Sequence, residues 1–183
     1  MSDSAATAAA SANDLAPRGF DRLSAAFAAL GINPPLREHE AVFTVAQSQH
    51  LRGQIPGLHT KNLFLKDKKG ALFLLTAPED APIDLKKLHT QIGARGRVSF
   101  ASAELLAEHL GVVPGSVTPL ALINDSKRAV TGVLHPQVAS APLVNVHPLR
   151  NTATVTLTGD ELVSLLSAEH GAPRILDLPE GET

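Results

Sequence analysis

The 183-residue chain has no cysteine, no tryptophan and no tyrosine. Without cysteine there is no thiol nucleophile, no disulfide and no Cys-based zinc or iron–sulfur site. Six Phe are its only aromatics apart from histidine, against 44% hydrophobic residues, so the core must be aliphatic. The same shortage argues against a base-stacking platform. Positive charge is not in excess either: 16 Lys and Arg face 18 Asp and Glu, for a net charge of −2. A chain that grips nucleic acid by overall charge is basic, so any such contact here must be local. No apolar run approaches the ~20 residues of a membrane span. The N-terminus lacks the basic and apolar regions of a signal peptide. These absences point to a cytoplasmic protein with no membrane partner. The eight histidines show no HxH or HExxH spacing, so neither a metal nor another cofactor is expected. GxSxG and GxxxxGK[ST] are both missing, which leaves a hydrolase elbow and a nucleotide P-loop unsupported.

What is present organises itself around Gly57 to Ala77. Two apolar runs, Leu63–Leu65 and Ala71–Thr76, flank Asp67-Lys68-Lys69-Gly70, the pattern of two paired strands around a turn. His59, Thr60, Lys61 and Asn62 place four polar groups at the mouth of the first strand. Around this hairpin, residues 1–16 are Ala/Ser-rich and aperiodic and read as a disordered tail, with one domain over 17–183. Phe20, Leu23, Phe27 and Leu30 recur at helical steps before Gly31. A short strand is expected at Leu36–Val42, and Thr44 with Gln47 suggests a helix over Val45–Leu51. Asp84 and Ser102 each read as a helix cap, with a strand over Arg95–Ala101 between the two helices. Pro119–Ile123 and Ala129–Leu134 read as a second hairpin. Strands follow at Leu143–Val146 and Ala153–Leu157, then a helix capped by Thr158 and Glu161, and a last edge strand at Arg174–Leu178. Hairpins alternating with short helices predict an α+β domain (mixed α/β) with a largely antiparallel central sheet.

Three places carry candidate chemistry. Lys61-Asn62 is the first; read alone, a lysine beside an apolar strand more often snorkels to solvent. The loop from Gly111 to Pro119 is the second: Gly115 lets backbone approach a ligand, and successive N–H groups can form an anion nest, although on pattern alone an ordinary helix-to-strand turn is the favoured reading. His147 is the third, at the end of a strand and before the polar loop holding Asn151. Lys66, Lys68, Lys69, Lys86, Lys87, Arg95 and Arg97 read as a solvated face able to meet phosphates.

Taken together, HTKNLFLKDKKG (59–70), GVVPGSVTPLALIND (111–125) and VNVHPLRNTATV (144–155), preceded by EHEAVFTVAQSQHLRGQIPG (38–57), resemble the YbaK/ProX superfamily of aminoacyl-tRNA editing proteins. The likeness runs in consistent order over about residues 20 to 178, and the ProX-type alanyl-tRNA(Pro) deacylases are the branch it points to. Where that pattern usually has His-Pro-Pro, this chain reads His39-Glu40-Ala41. The resemblance implies a barrel-like sheet flanked by short helices, and a hydrolase that strips a wrongly attached amino acid from tRNA(Pro). Transient contact with prolyl-tRNA synthetase would follow from that role. It places the catalytic lysine at Lys61, with Asn62 beside it and Gly115 and Ser116 as the glycine loop. By position, Ile32, Val42, Phe43, Val45 and Leu58, with His147 and Asn151, would line the substrate pocket. Lys66, Arg95 and Arg97 are candidates for tRNA contact. Two alternatives are a Cys-tRNA(Pro) deacylase, and a non-catalytic tRNA or nucleic-acid binding module of the same fold.

Overall fold

The computed structural model describes residues 17–41, 49–50 and 53–181. The expected tail at 1–16 and most of the expected helix over Val45–Leu51 lie outside them. Helix α1 (Phe20–Ala29) buries Leu23 and Ala26. Strand β1 (Leu36–Glu38) is shorter than expected. Strands β2 (Leu58–Lys66) and β3 (Leu72–Pro78) form the anticipated antiparallel hairpin, with Lys61 opposite Ala77 and Asn62 opposite Thr76. Short helix α2 (Leu88–Ile92) and two-residue strand β4 (Ser99–Phe100) follow, then α3 (Ala103–Leu110), whose Ser102 cap accepts from the Leu105 N–H. Next come β5 (Val130–Leu134), α4 (Pro136–Ala139), β6 (Val144–Val146), β7 (Ala153–Leu157), α5 (Gly159–Glu169) and β8 (Arg174–Ile175).

The sheet is mixed rather than largely antiparallel. Its order is β1-β7-β6-β2-β3-β5-β8, with β4 pairing β2 as a side branch. The β2/β6, β3/β5 and β5/β8 pairs are parallel; the others are antiparallel. Locally visible hairpins give antiparallel pairs, but β5 reaches β3 only after a crossover of more than 50 residues (Pro78 to Val130), long enough to reverse the chain and enter parallel.

The second hairpin does not form. Pro119–Asn124 is a 3₁₀-helix, with Pro119 in its first turn and the Thr118 hydroxyl accepting from the Leu120 N–H at 3.3 Å. Pro119 has no N–H for a ladder, and all of Pro119–Ile123 is buried, so the run is apolar for reasons unrelated to strand alternation. The polar residues after it are a fastening rather than a hairpin turn. Asp125 accepts from Ala129 N and Val130 N at 3.1 and 2.8 Å, and buried His170 lies 2.9 Å from the same carboxylate. The expected strand over Arg95–Ala101 shrinks to β4: the Arg95 N–H goes to Asp67 Oδ2 at 2.8 Å, and Gly96 has φ 87, outside the extended region.

The core lies on both faces of the hairpin. Phe64, Leu72 and Leu74 pack with α1, α3, the 3₁₀-helix and α5; Leu65, Phe73 and Leu75 pack with Leu88 and Ile92 of α2. Every residue of β3 is buried, so it reads as one apolar run. The Thr158/Glu161 capping box forms as expected, with bonds of 2.8 and 3.0 Å. Thr158→Ala is expected to destabilise the fold by about 1 kcal/mol, seen as a lower urea midpoint at unchanged m-value.

Candidate active site

The site lies where β2 changes partner. Leu58 and His59 pair with Val144 and Asn145 of β6, whereas Thr60 to Lys66 pair with β3. At this junction a cavity of about 250 Å³ opens. Strand β2 lines it with His59, Thr60, Lys61 and Asn62. The loop after α3 brings Gly115 and Val117, the end of β6 brings Asn145, Val146 and His147, and Glu79 and Thr154 complete the wall. The structure thus gathers the adjacent pair Lys61 and Asn62 with Gly115 and His147, which are distant in sequence, around one space.

Each polar side chain is held. The Lys61 ammonium donates to the Ala81 carbonyl in the loop after β3. Thr76, opposite Asn62 in the ladder, donates its hydroxyl to Asn62 Oδ1 at 2.7 Å, which leaves the Asn62 amide NH₂ as a donor. Thr60 Oγ1 donates to the Asn145 carbonyl at 2.9 Å. Asn145 is itself 4% exposed; its amide donates to Pro56 O at 3.1 Å and accepts from Thr156 Oγ1 at 2.7 Å. Gly115 has φ 89, a left-handed conformation in which a side chain would be strained. Fully buried Thr118 fastens this loop to β6 by donating to the His147 carbonyl at 2.7 Å.

His147 Nδ1 lies 3.0 Å from the Ala153 carbonyl and must donate to it, which leaves Nε2 of the neutral ring as an acceptor. Burial pushes the His147 pKa below 6.5, the Ala153 bond opposes this in part, and nearby His39 adds to the lowering. The unfolded chain therefore binds the proton more readily than the folded one. This stability contribution is complete above pH 6.5 and is lost as pH falls below it. In urea melts between pH 5 and 7.5, His147→Gln is expected to flatten the acid-side decline; an unchanged slope would contradict it.

Other expected site residues lie elsewhere. Ser116 does not line the cavity, and its N–H is committed to Val113 O at 3.0 Å, so the loop's contribution falls to Gly115 and Val117. Ile32 lines a separate apolar cavity beside Phe20 and Phe27, and Leu58 a shallow depression beside Leu143. Asn151 sits in the β6–β7 turn, away from the cavity wall. Val42, Phe43 and Val45 lie outside the described residues. Lys66, Arg95 and Arg97 gather at the far end of the hairpin, about 17 Å along β2 from Lys61 at ~3.4 Å per residue. Sequence reasoning missed Glu79, Asn145 and Thr154. A polar residue in the middle of the apolar strand Val-Asn-Val was the one available signal.

Among the described residues no cluster of His, Asp or Glu is arranged to hold a metal ion, and no helix is long and apolar enough to cross a membrane. A lysine, an amide donor and a backbone-lined loop converge on this small cavity, an arrangement able to bind and polarise a small polar group.

Comparison with known proteins assigns the class: this is an editing-domain protein. Residues 39–165 match the aminoacyl-tRNA editing domain family. The chain belongs to that family, within the YbaK/ProX superfamily. It is 38% identical over 149 residues to prolyl-tRNA synthetase associated domain-containing protein 1 of Danio rerio, covering 80% of each chain. It is 34% identical over 150 residues to the prolyl-tRNA editing protein ProX of Acetoanaerobium sticklandii, covering 81% of this chain and 91% of that one. A crystal structure of a candidate trans-editing enzyme for prolyl-tRNA synthetase shares the fold, with a TM-score of 0.68, 22% identity and coverage of 91% and 100%.

Proposed function

We propose that this protein is a trans-acting deacylase of mischarged tRNA(Pro), with Ala-tRNA(Pro) as its preferred substrate. The observation that carries this reading is the meeting of Lys61, Asn62 and Gly115 around one cavity in a chain of the editing-domain family. The scissile bond is the activated ester between an amino acid and the terminal ribose. Water adds to the carbonyl carbon, the bond to the ribose oxygen breaks, one water proton goes to that oxygen to regain the ribose hydroxyl, and the amino acid leaves as a carboxylate with the other proton released to solvent. The substrate's own 2′-hydroxyl assists by orienting the attacking water. The protein's part is positioning and charge stabilisation. Lys61 holds the developing negative charge, the Asn62 amide orients the ester, and backbone at Gly115 approaches the carbonyl oxygen. His147 contributes a neutral acceptor at the pocket wall.

The cavity is small, about 250 Å³, below the usual ~300–1,000 Å³ of ligand pockets. It therefore favours a small acyl group such as alanyl. Size alone separates neighbouring small amino acids weakly, by about 1–3 kcal/mol per methylene. Side-by-side deacylation of Ala-, Cys- and Ser-charged tRNA tests the choice. Fastest turnover of Ala-tRNA(Pro) is expected, and a preference for Cys-tRNA(Pro) would reassign the substrate.

Lys66, Arg95 and Arg97 contact the tRNA backbone beyond its 3′ end. Arg95 and Arg97 are exposed, as such contacts require. Replacing all three by Gln is expected to weaken tRNA binding and to lower the salt slope, log Kobs against log[salt], by about 2–3. Unchanged binding and slope would remove them from the interface. The protein acts in the cytoplasm, with contact to prolyl-tRNA synthetase transient.

A further inference from the structure

One carboxylate shares the cavity with Lys61. Glu79 directly follows β3, and its N–H donates to the His59 carbonyl at 2.9 Å. This bond continues the β2/β3 register, in which Thr60 faces Pro78 and Lys61 faces Ala77, by one further pair, His59 with Glu79. Paired residues of a ladder project to the same side, and so do residues two apart on a strand. Lys61 and Glu79 are therefore diagonal neighbours on one face, with Cβ atoms within ~8 Å of each other. Both line the cavity, and among the described residues Glu79 is the one acid that does. The Lys61 ammonium is anchored by the Ala81 carbonyl, two residues beyond Glu79, so one short loop sets the position of both charges.

A cation and an anion on one face of the ladder, both lining one cavity, match a ligand with the opposite pair. An aminoacyl ester in its transition state has that pair: an α-ammonium one carbon away from a carbonyl that is gaining negative charge. We propose that the Glu79 carboxylate receives the α-ammonium of the aminoacyl group, making the site specific for esters of amino acids with a free α-amine. This deepens the deacylase reading and rests on it. A carboxylate has about four acceptor positions, so Glu79 takes an ammonium alongside partners of its own. The consequence is a built-in discrimination: an N-acylated ester, such as the growing end of a peptidyl-tRNA, has no ammonium to offer and forgoes this charge-assisted contact.

The test compares alanyl-tRNA(Pro) with N-acetylalanyl-tRNA(Pro) on wild type, Glu79→Gln and Glu79→Asp, each confirmed folded by thermal melt. Wild type is expected to prefer the free-amine ester by on the order of 10- to 100-fold in kcat/KM, the scale of one charge-assisted hydrogen bond. Glu79→Gln is expected to bring the two substrates within a few-fold of each other, mainly by slowing the free-amine ester, and Glu79→Asp to restore part of the preference. Equal turnover of both esters by wild type overturns the proposal, as does a Glu79→Gln enzyme that keeps the wild-type preference; in either case the deacylase reading stands. Wild type that hydrolyses neither ester overturns the deacylase reading and this inference with it.

Discussion

Lys61→Ala is expected to slow hydrolysis of alanyl-tRNA(Pro) by about a hundred- to a thousand-fold in kcat, the scale of removing one preorganised donor from a developing oxyanion. The fold should barely register the change. Lys61 is half-buried within β2, and among the described residues its side chain hydrogen-bonds to the Ala81 carbonyl. Losing such a bond costs roughly 1 kcal/mol. A large loss of kcat with a near-native melting temperature is therefore the signature of a residue acting on the reaction rather than on the scaffold. Lys61→Arg is expected to recover little, because a planar guanidinium on a longer stem does not place its charge where the ammonium sits. Single-turnover assays at saturating enzyme separate the chemical step from tRNA binding. Wild-type single-turnover rates in Lys61→Ala would remove the lysine from the mechanism.

The largest expected effect on stability comes from a residue with no side chain. Gly159 opens helix α5, and its N–H donates to the Ala141 carbonyl at 2.8 Å. A Cβ added there would lie 2.3 Å from the Ala139 carbonyl oxygen and 2.6 Å from that of Val138. Both obstacles are backbone of α4, so no side chain can swing away. Helix α5 or α4 must shift, and both bury apolar residues in the main core: Leu162, Leu165 and Leu166 on one, Val138 on the other. Gly159→Ala is expected to destabilise the protein by about 3 kcal/mol, at the upper end of overpacking costs. At about 3 °C per kcal/mol this lowers Tm by roughly 10 °C. A melting temperature within 2–3 °C of wild type would show that the α4–α5 contact yields more easily than its geometry implies.

The sequence makes some of this architecture legible and hides the rest for physical reasons. Local signals survive into the structure: Ser102 caps α3, Thr158 and Glu161 close their box, and the β2–β3 hairpin forms around its lysine-rich turn. These depend on residues three or four apart, or on one turn. Strand direction does not, and the parallel entry of β5 beside β3 is written nowhere near either strand. The run Pro119–Ile123 misleads because full burial erases periodicity: a short apolar segment looks the same whether it ends as a strand or as a 3₁₀-helix. The site divides the same way. Lys61, Asn62, Gly115 and His147 were legible because their motifs occur in a family order. Glu79 and Thr154 carry no motif and join the site only through pairing, Glu79 across from His59 and Thr154 on β7. Ile32 and Leu58 line other cavities, because apolar character says that a residue is buried, not which cavity it faces.

The central claim is that the small polar cavity around Lys61 edits the amino acid on tRNA(Pro). The most direct measurement is multiple-turnover deacylation of alanyl-tRNA(Pro) beside correctly charged prolyl-tRNA(Pro), with Lys61→Ala as control. The account predicts rapid loss of alanine, little loss of proline, and no catalysed loss of either with the control. Binding of the charged tRNA without hydrolysis of alanyl-tRNA(Pro), or equal hydrolysis by Lys61→Ala, would contradict it.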